Sequence, residues 1–102
     1  MYRLEFLPKA RQDMADIVRY ISHELSNPTA AEKLANEMIT AAERRTELPY
    51  INTIHQFIKP LKKEYRKLFV KNHIIFYWID EKEKRVTVAR VIYARRDYDR
   101  LL

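Results

Sequence analysis

Polar and apolar residues alternate at the start of the chain. Tyr2, Leu4 and Phe6 fall on one side, Arg3 and Glu5 on the other, which is the period of a half-buried strand. Pro8 punctuates. From Ala10 the period lengthens: Ala10, Met14, Ile17, Val18, Ile21 and Leu25 recur at three- and four-residue spacing and predict one face of a first helix. Ser26-Asn27-Pro28 stops it and opens the next. Asn27 can cap exposed amides, and Pro28 suits a first helical position, where its missing N–H would be unpaired anyway. The second helix carries Ala31, Leu34, Ala35, Met38, Ile39, Ala42 and Leu48 on its apolar face and is expected to end at Pro49. Two helices joined so briefly should pack as an antiparallel hairpin.

Residues 50–64 are irregular, with Pro60 among the lysines Lys59, Lys62 and Lys63, and read as an exposed loop. Three strands follow: Arg66 to Val70, Ile74 to Asp80 and Arg85 to Tyr93. Lys71-Asn72-His73 is a tight turn, with Asn72 the expected site of positive φ. Glu81 to Lys84 is a charged hairpin loop. The predicted fold class is therefore α+β: one domain, residues 1–102, in the order β-α-α-β-β-β, an antiparallel sheet with a helical hairpin packed on one face. The strand Ile74-Ile75-Phe76-Tyr77-Trp78-Ile79 is apolar on both faces, and two helices cover only one. Either a partner or the chain's own loop and tail (Arg95 to Leu102) must cover the other.

Composition narrows the function. The chain has 102 residues, a net charge of +6, no cysteine and no glycine. Without cysteine there is no disulfide, thiolate zinc site or cysteine nucleophile. Average usage would supply about seven glycines; with none, the glycine-rich phosphate loops of nucleotide-binding proteins are excluded. The longest apolar run, Ile74 to Ile79, is far short of a bilayer span, and the acidic start Met1-Tyr2-Arg3-Leu4-Glu5 is unlike a signal peptide. A cytoplasmic location is expected. The charge is one-sided. Residues 1–51 hold 7 basic and 8 acidic side chains, and residues 52–102 hold 13 and 6. Such a field suits an acidic partner, either nucleic acid or protein.

Candidate chemistry is sparse. His23, His55 and His73 lie in different elements, without metal-ligand spacing, so no metal and no cofactor is expected. The only serines, Ser22 and Ser26, sit at the helix junction, where capping is the expected job of one of them. Glu64, Asp80 and Asp97 show no acid–base pairing. The strongest signal is basic: Lys59, Lys62, Lys63, Arg66, Lys67, Lys71, Arg90, Arg95, Arg96 and Arg100. Tyr65, Phe69, Tyr77, Tyr93 and Tyr98 interleave with them. Basic groups beside aromatic platforms suit RNA or single strands, and a plain nucleic-acid-binding module is one reading. The same aromatics at strand spacing also describe an ordinary core.

Three stretches carry a resemblance that covers nearly the whole chain. They are Leu4-Glu5-Phe6 with the helix opening at Lys9-Ala10, Asn27-Pro28-Thr29-Ala30-Ala31 with its helix closing at Leu48-Pro49, and the strands Tyr65-Arg66-Lys67-Leu68, Ile75-Phe76-Tyr77 and Arg90-Val91-Ile92-Tyr93-Ala94-Arg95-Arg96-Asp97. In this order and at this length the chain resembles the RelE/ParE superfamily of type II toxin–antitoxin toxins. The resemblance implies a growth-arresting toxin neutralised by a cognate antitoxin in a hetero-oligomer, with Phe69, Tyr77, Trp78 and Arg90 as expected antitoxin contacts.

Two branches of that superfamily imply different targets. A RelE-like toxin is a metal-independent endoribonuclease that cleaves mRNA on the 70S ribosome; Arg66, Arg95, Arg96, Tyr98 and His73 would be its catalytic candidates. A ParE-like toxin inhibits DNA gyrase by binding, here through Lys62, Lys63, Arg66, Lys67, Arg95, Arg96 and Tyr98. Where the nuclease branch places an arginine on the middle strand this chain has Ile74, and Leu68 falls where a second strand lysine would stand. The Asn-Pro opening of the second helix and the Arg-Arg-Asp ending look more ParE-like.

Overall fold

The computed structural model describes residues 1–56 and 63–102. The elements are β1 (Arg3–Phe6), α1 (Pro8–Arg19), a π-helical turn (Tyr20–Glu24), α2 (Pro28–Arg44), β2 (Arg66–Val70), β3 (His73–Asp80), β4 (Arg85–Tyr93) and a one-turn α3 (Tyr98–Leu101). The strands form one sheet in the order β1-β4-β3-β2. β2–β3 and β3–β4 are antiparallel hairpins, but β1 runs parallel to β4, pairing Arg3 with Arg85 and Phe6 with Val88. The sheet is thus mixed, where the sequence predicts an antiparallel one. The direction of β1 is set by its pairing with β4, some 82 residues further along the chain (Arg3 with Arg85), and no local pattern encodes that.

The hairpin covers one face of the sheet. Ala10, Met38 and Ala42 from the helices meet Leu68, Val70, Ile75, Tyr77, Val86, Val88 and Val91 from the strands. The small Ala10, Ala31 and Ala42 are buried to 2% exposure or less, so the helices lie close to their neighbours. The other face has its own small core: Ile74, Phe76 and Ile92 under Tyr65, Ala94, Tyr98, Leu101 and Leu102. The tail therefore covers much of the second face.

Three local expectations are revised. Pro8 is the first residue of α1 rather than a break before it. α2 ends at Arg44, not near Leu48. There the Thr46 hydroxyl donates to the Glu43 carbonyl at 2.6 Å, and the Thr46 carbonyl accepts from the Tyr2 amide at 2.9 Å. Those bonds replace helical ones, and Leu48 is left 60% exposed. Positive φ falls on Lys71 (55°), not Asn72, because the pairing of Val70 with His73 makes Lys71 the first loop residue. Asn27 does cap α2, its side chain accepting from the Ala30 amide at 3.1 Å.

Candidate functional site

An apolar groove of about 890 Å³ opens between the helical hairpin and one end of the sheet. Its origin is local. After α1 the backbone widens into the π-helical turn, where the Leu25 amide donates to the Tyr20 carbonyl at 3.2 Å. π turns of this kind are common at functional positions. The widening leaves Tyr20 57% and Leu25 56% exposed, although both are large and apolar. Ile21 and Leu34 extend that wall. The floor is His73 and Tyr93, paired across β3 and β4 with ring centroids 5.6 Å apart at 62°. Burial of the His73 ring holds its pKa below the ordinary 6.5, so it is a neutral floor residue. Lys33, Lys71 and Arg96 stand around the groove with Asp16 and Glu37; Lys71 faces Glu37 at 4.0 Å.

The second surface is the outer face of the sheet. Aromatic rings run across it edge to face: Trp78 to Tyr65 (5.6 Å), Tyr65 to Phe76 (6.5 Å), then Phe76 to Tyr98 (5.3 Å, tilted). Lys63 lies over Trp78 at 5.1 Å from the ring centroid. Phe69 stands 60% exposed on the edge strand β2. Arg95 and Arg96 are exposed in the turn between β4 and α3.

Arg66 and Arg90 are committed elsewhere. Arg66 donates to the carbonyl oxygens of Asn52 (2.7 Å) and Tyr50 (3.4 Å), fastening the segment after α2 to β2. Arg90, expected at an antitoxin surface, is instead an internal tie. Its guanidinium forms two bonds to Asp13, at 2.7 and 3.0 Å, and a third to the Leu101 carbonyl at 2.7 Å. Tyr77, also expected there, is 1% exposed; it faces the helical core, and its hydroxyl donates to the Pro49 carbonyl at 2.7 Å. Both departures share a cause: the side chains are long enough to reach a buried acceptor, which a periodicity count does not see. Tyr98 packs on Phe76 and against His55, as part of the cover over the outer face. Lys67 is half-buried. Lys62 lies outside the described residues.

A further cluster ties the end of the hairpin to the β3–β4 turn. Tyr2 and Tyr50 both donate to one oxygen of Glu81, at 2.6 and 2.5 Å, while Lys84 binds the other. Lys84 and the two phenols hold the Glu81 carboxyl down to about 2, and the bond to Glu81 pushes the Tyr50 phenol up to about 12. Among the described residues no group of three or more histidines, cysteines or carboxylates could hold a metal ion. No described helix is long and apolar enough to cross a membrane.

The groove went unseen in the sequence because a π turn has no periodic signature. Its one trace is that Leu25 continues the apolar face of the first helix beyond what the core can bury.

Comparison with known proteins decides the family. The model for the ParE toxin of type II toxin–antitoxin systems (parDE) matches residues 4–98. The chain belongs to the ParE toxin family. Its fold is shared with solved toxins. A chain of the chromosomal ParDE toxin–antitoxin system from P. aeruginosa is 17% identical and superposes with a TM-score of 0.66, over 93% of this chain and 98% of that one. The isolated E. coli RelE toxin is 17% identical, with a TM-score of 0.59 over the whole of both chains. A chain of the intact E. coli RelBE complex is 20% identical, with a TM-score of 0.56, over 94% of this chain and 100% of that one. No curated protein matches the chain. At such identities these structures establish the fold alone, and the family match establishes a toxin of the ParE kind within the RelE/ParE superfamily.

Proposed function

We propose that this toxin acts by binding DNA gyrase, with no chemistry of its own, and that a cognate antitoxin silences it. The observation that carries the first part is where the cationic and titratable side chains go. A ribonuclease needs several of them converging on one phosphate, aimed at developing charge. Here Arg66 points to backbone carbonyls, Arg90 to Asp13 and His55 to Asp99; where cations do gather, around the groove over His73, the walls are apolar, Lys71 faces Glu37 and Asp16 stands beside them. Arg95 and Arg96 are the exposed pair, beside the aromatic cover of the outer face. That is a surface for docking on an acidic partner. The family match to ParE supports the same branch.

The antitoxin's place in this reading is the groove. Its apolar walls suit an amphipathic segment, and Lys33, Lys71 and Arg96 suit acidic residues along that segment. The similar P. aeruginosa and E. coli RelBE chains come from toxin–antitoxin assemblies, which supports a partner of this sort.

The test is to add the purified protein to two reactions. In one, gyrase supercoils a relaxed plasmid; in the other, ribosomes translate a defined mRNA. The reading expects supercoiling to stop and the mRNA to stay whole. Cleavage of the mRNA on the ribosome with gyrase unaffected would replace it with the endoribonuclease reading.

A further inference from the structure

We infer that His55 is a positioning residue: it fixes the place of the C-terminal tail, and with it the direction in which Arg95 and Arg96 are presented. That those arginines are the working surface rests on the function proposed above; that His55 sets the tail stands on geometry alone.

His55 itself is well anchored. Its amide donates to the Tyr65 carbonyl at 2.8 Å, one residue after the bridge of Ile54 to Arg66, so its backbone is in register with the sheet edge. Its side chain is 7% exposed and its ring meets Phe76 and Tyr98 edge to face, with centroids 5.5 and 5.2 Å away. From there Nε2 reaches the Asp99 carboxylate at 2.6 Å. A hydrogen bond to a charged group, shielded like this one, is stronger than a surface pair.

The tail needs such a hold. α3 is one turn long, and an isolated turn does not persist in water. Among the described residues, two side-chain contacts bracket it: His55 to Asp99, and Arg90 to the Leu101 carbonyl at 2.7 Å. Between the end of β4 at Tyr93 and these anchors lie Arg95 and Arg96. One anchor leaves the turn free to pivot over Ile74, Phe76 and Ile92; two anchors fix it. The apolar cover alone sets no direction, because hydrophobic contact is non-directional.

The test reads the tail directly by amide hydrogen exchange in the full chain, using the Leu102 amide, which donates to the Tyr98 carbonyl at 3.1 Å. Replacing His55→Ala should speed exchange there by about tenfold, the worth of one charged hydrogen bond, while the β3 amides stay protected. His55→Gln, which keeps a donor, should restore protection; a role in packing alone would not be rescued so. Should His55→Ala fail to fold, Asp99→Ala removes the same bond from the more exposed side and should give the same tail-specific effect. The same variants assayed on gyrase should lose and regain inhibition in step with tail protection. Unchanged Leu102 exchange in a folded His55→Ala or Asp99→Ala variant overturns the inference. A tail that loosens in a protein whose wild type leaves gyrase untouched upholds His55 as a positioning residue and removes only the gyrase reading.

Discussion

Asp13 on α1 and Arg90 on β4 are joined by two hydrogen bonds across 77 residues of sequence, with side-chain exposures of 10% and 13%. The same carboxylate accepts the Val91 amide at 2.9 Å. β1 pairs with β4 only as far as Val88, so the edge of β4 beyond it would be bare, and Asp13 takes the place of the missing strand. The third bond of Arg90, to Leu101, extends the tie to the tail. One buried pair thus links helix, sheet and C-terminus.

Removing one member should therefore be severe. Asp13→Ala leaves a shielded guanidinium and a buried amide without their acceptor, at a cost of about 3–5 kcal/mol. That is a large part of the 5–15 kcal/mol or so that holds a domain of this size together. Urea unfolding should show the midpoint falling sharply in Asp13→Ala. The double variant Asp13→Leu/Arg90→Met should lose less than the two single losses added.

The neighbours Tyr77 and Trp78 should behave differently, because they face opposite sides of the sheet. Tyr77→Ala empties a site in the main core and should cost about 3–5 kcal/mol. Tyr77→Phe removes only the hydroxyl's bonds to the Pro49 carbonyl and, at 3.2 Å, to Asn52 Oδ1, about 1–2 kcal/mol. Trp78, half-buried beneath Lys63, should cost below about 2 kcal/mol when cut to alanine, since part of its area is already in water. Thermal denaturation should place Tyr77→Ala lowest, well below both Tyr77→Phe and Trp78→Ala.

His73 gives the groove a pH dependence. Its pKa is lowered in the folded chain by burial, so as pH falls below 6.5 the unfolded chain takes up the proton first. The stability owed to neutral His73 is full above pH 6.5 and declines as pH drops from there to the folded value. NMR titration should place the His73 midpoint below 6.5, and His73→Phe should flatten that part of the stability curve. A midpoint at or above 6.5 would contradict a buried, neutral floor.

The elements with strong local signals were legible. The bounds of β2 and β4 match the sequence expectation, because runs of five and nine residues, the second with six β-branched or aromatic ones, lie between clear turns. The same pattern showed that Phe76 and Ile74 needed cover on a second face. Other features depend on contacts distant in sequence. The Thr46 carbonyl ends α2 by serving Tyr2, and Arg90 turns inward because Asp13 waits on α1. Of the proposed site, Arg95 and Arg96 were visible as charge. The role of His55 was not, since its partner Asp99 lies 44 residues away.

The claim that the basic turn before α3 is what engages gyrase is tested most directly by the double variant Arg95→Ala/Arg96→Ala. It should be compared with wild type for inhibition of plasmid supercoiling by purified gyrase, after circular dichroism shows both folded. These arginines are exposed, so the fold should stand. The account predicts that wild type stops supercoiling and that the double variant needs at least about tenfold more protein, the cost of about 1.4 kcal/mol of lost contact. Equal inhibition by both proteins, or none by wild type in large excess over gyrase, would contradict it.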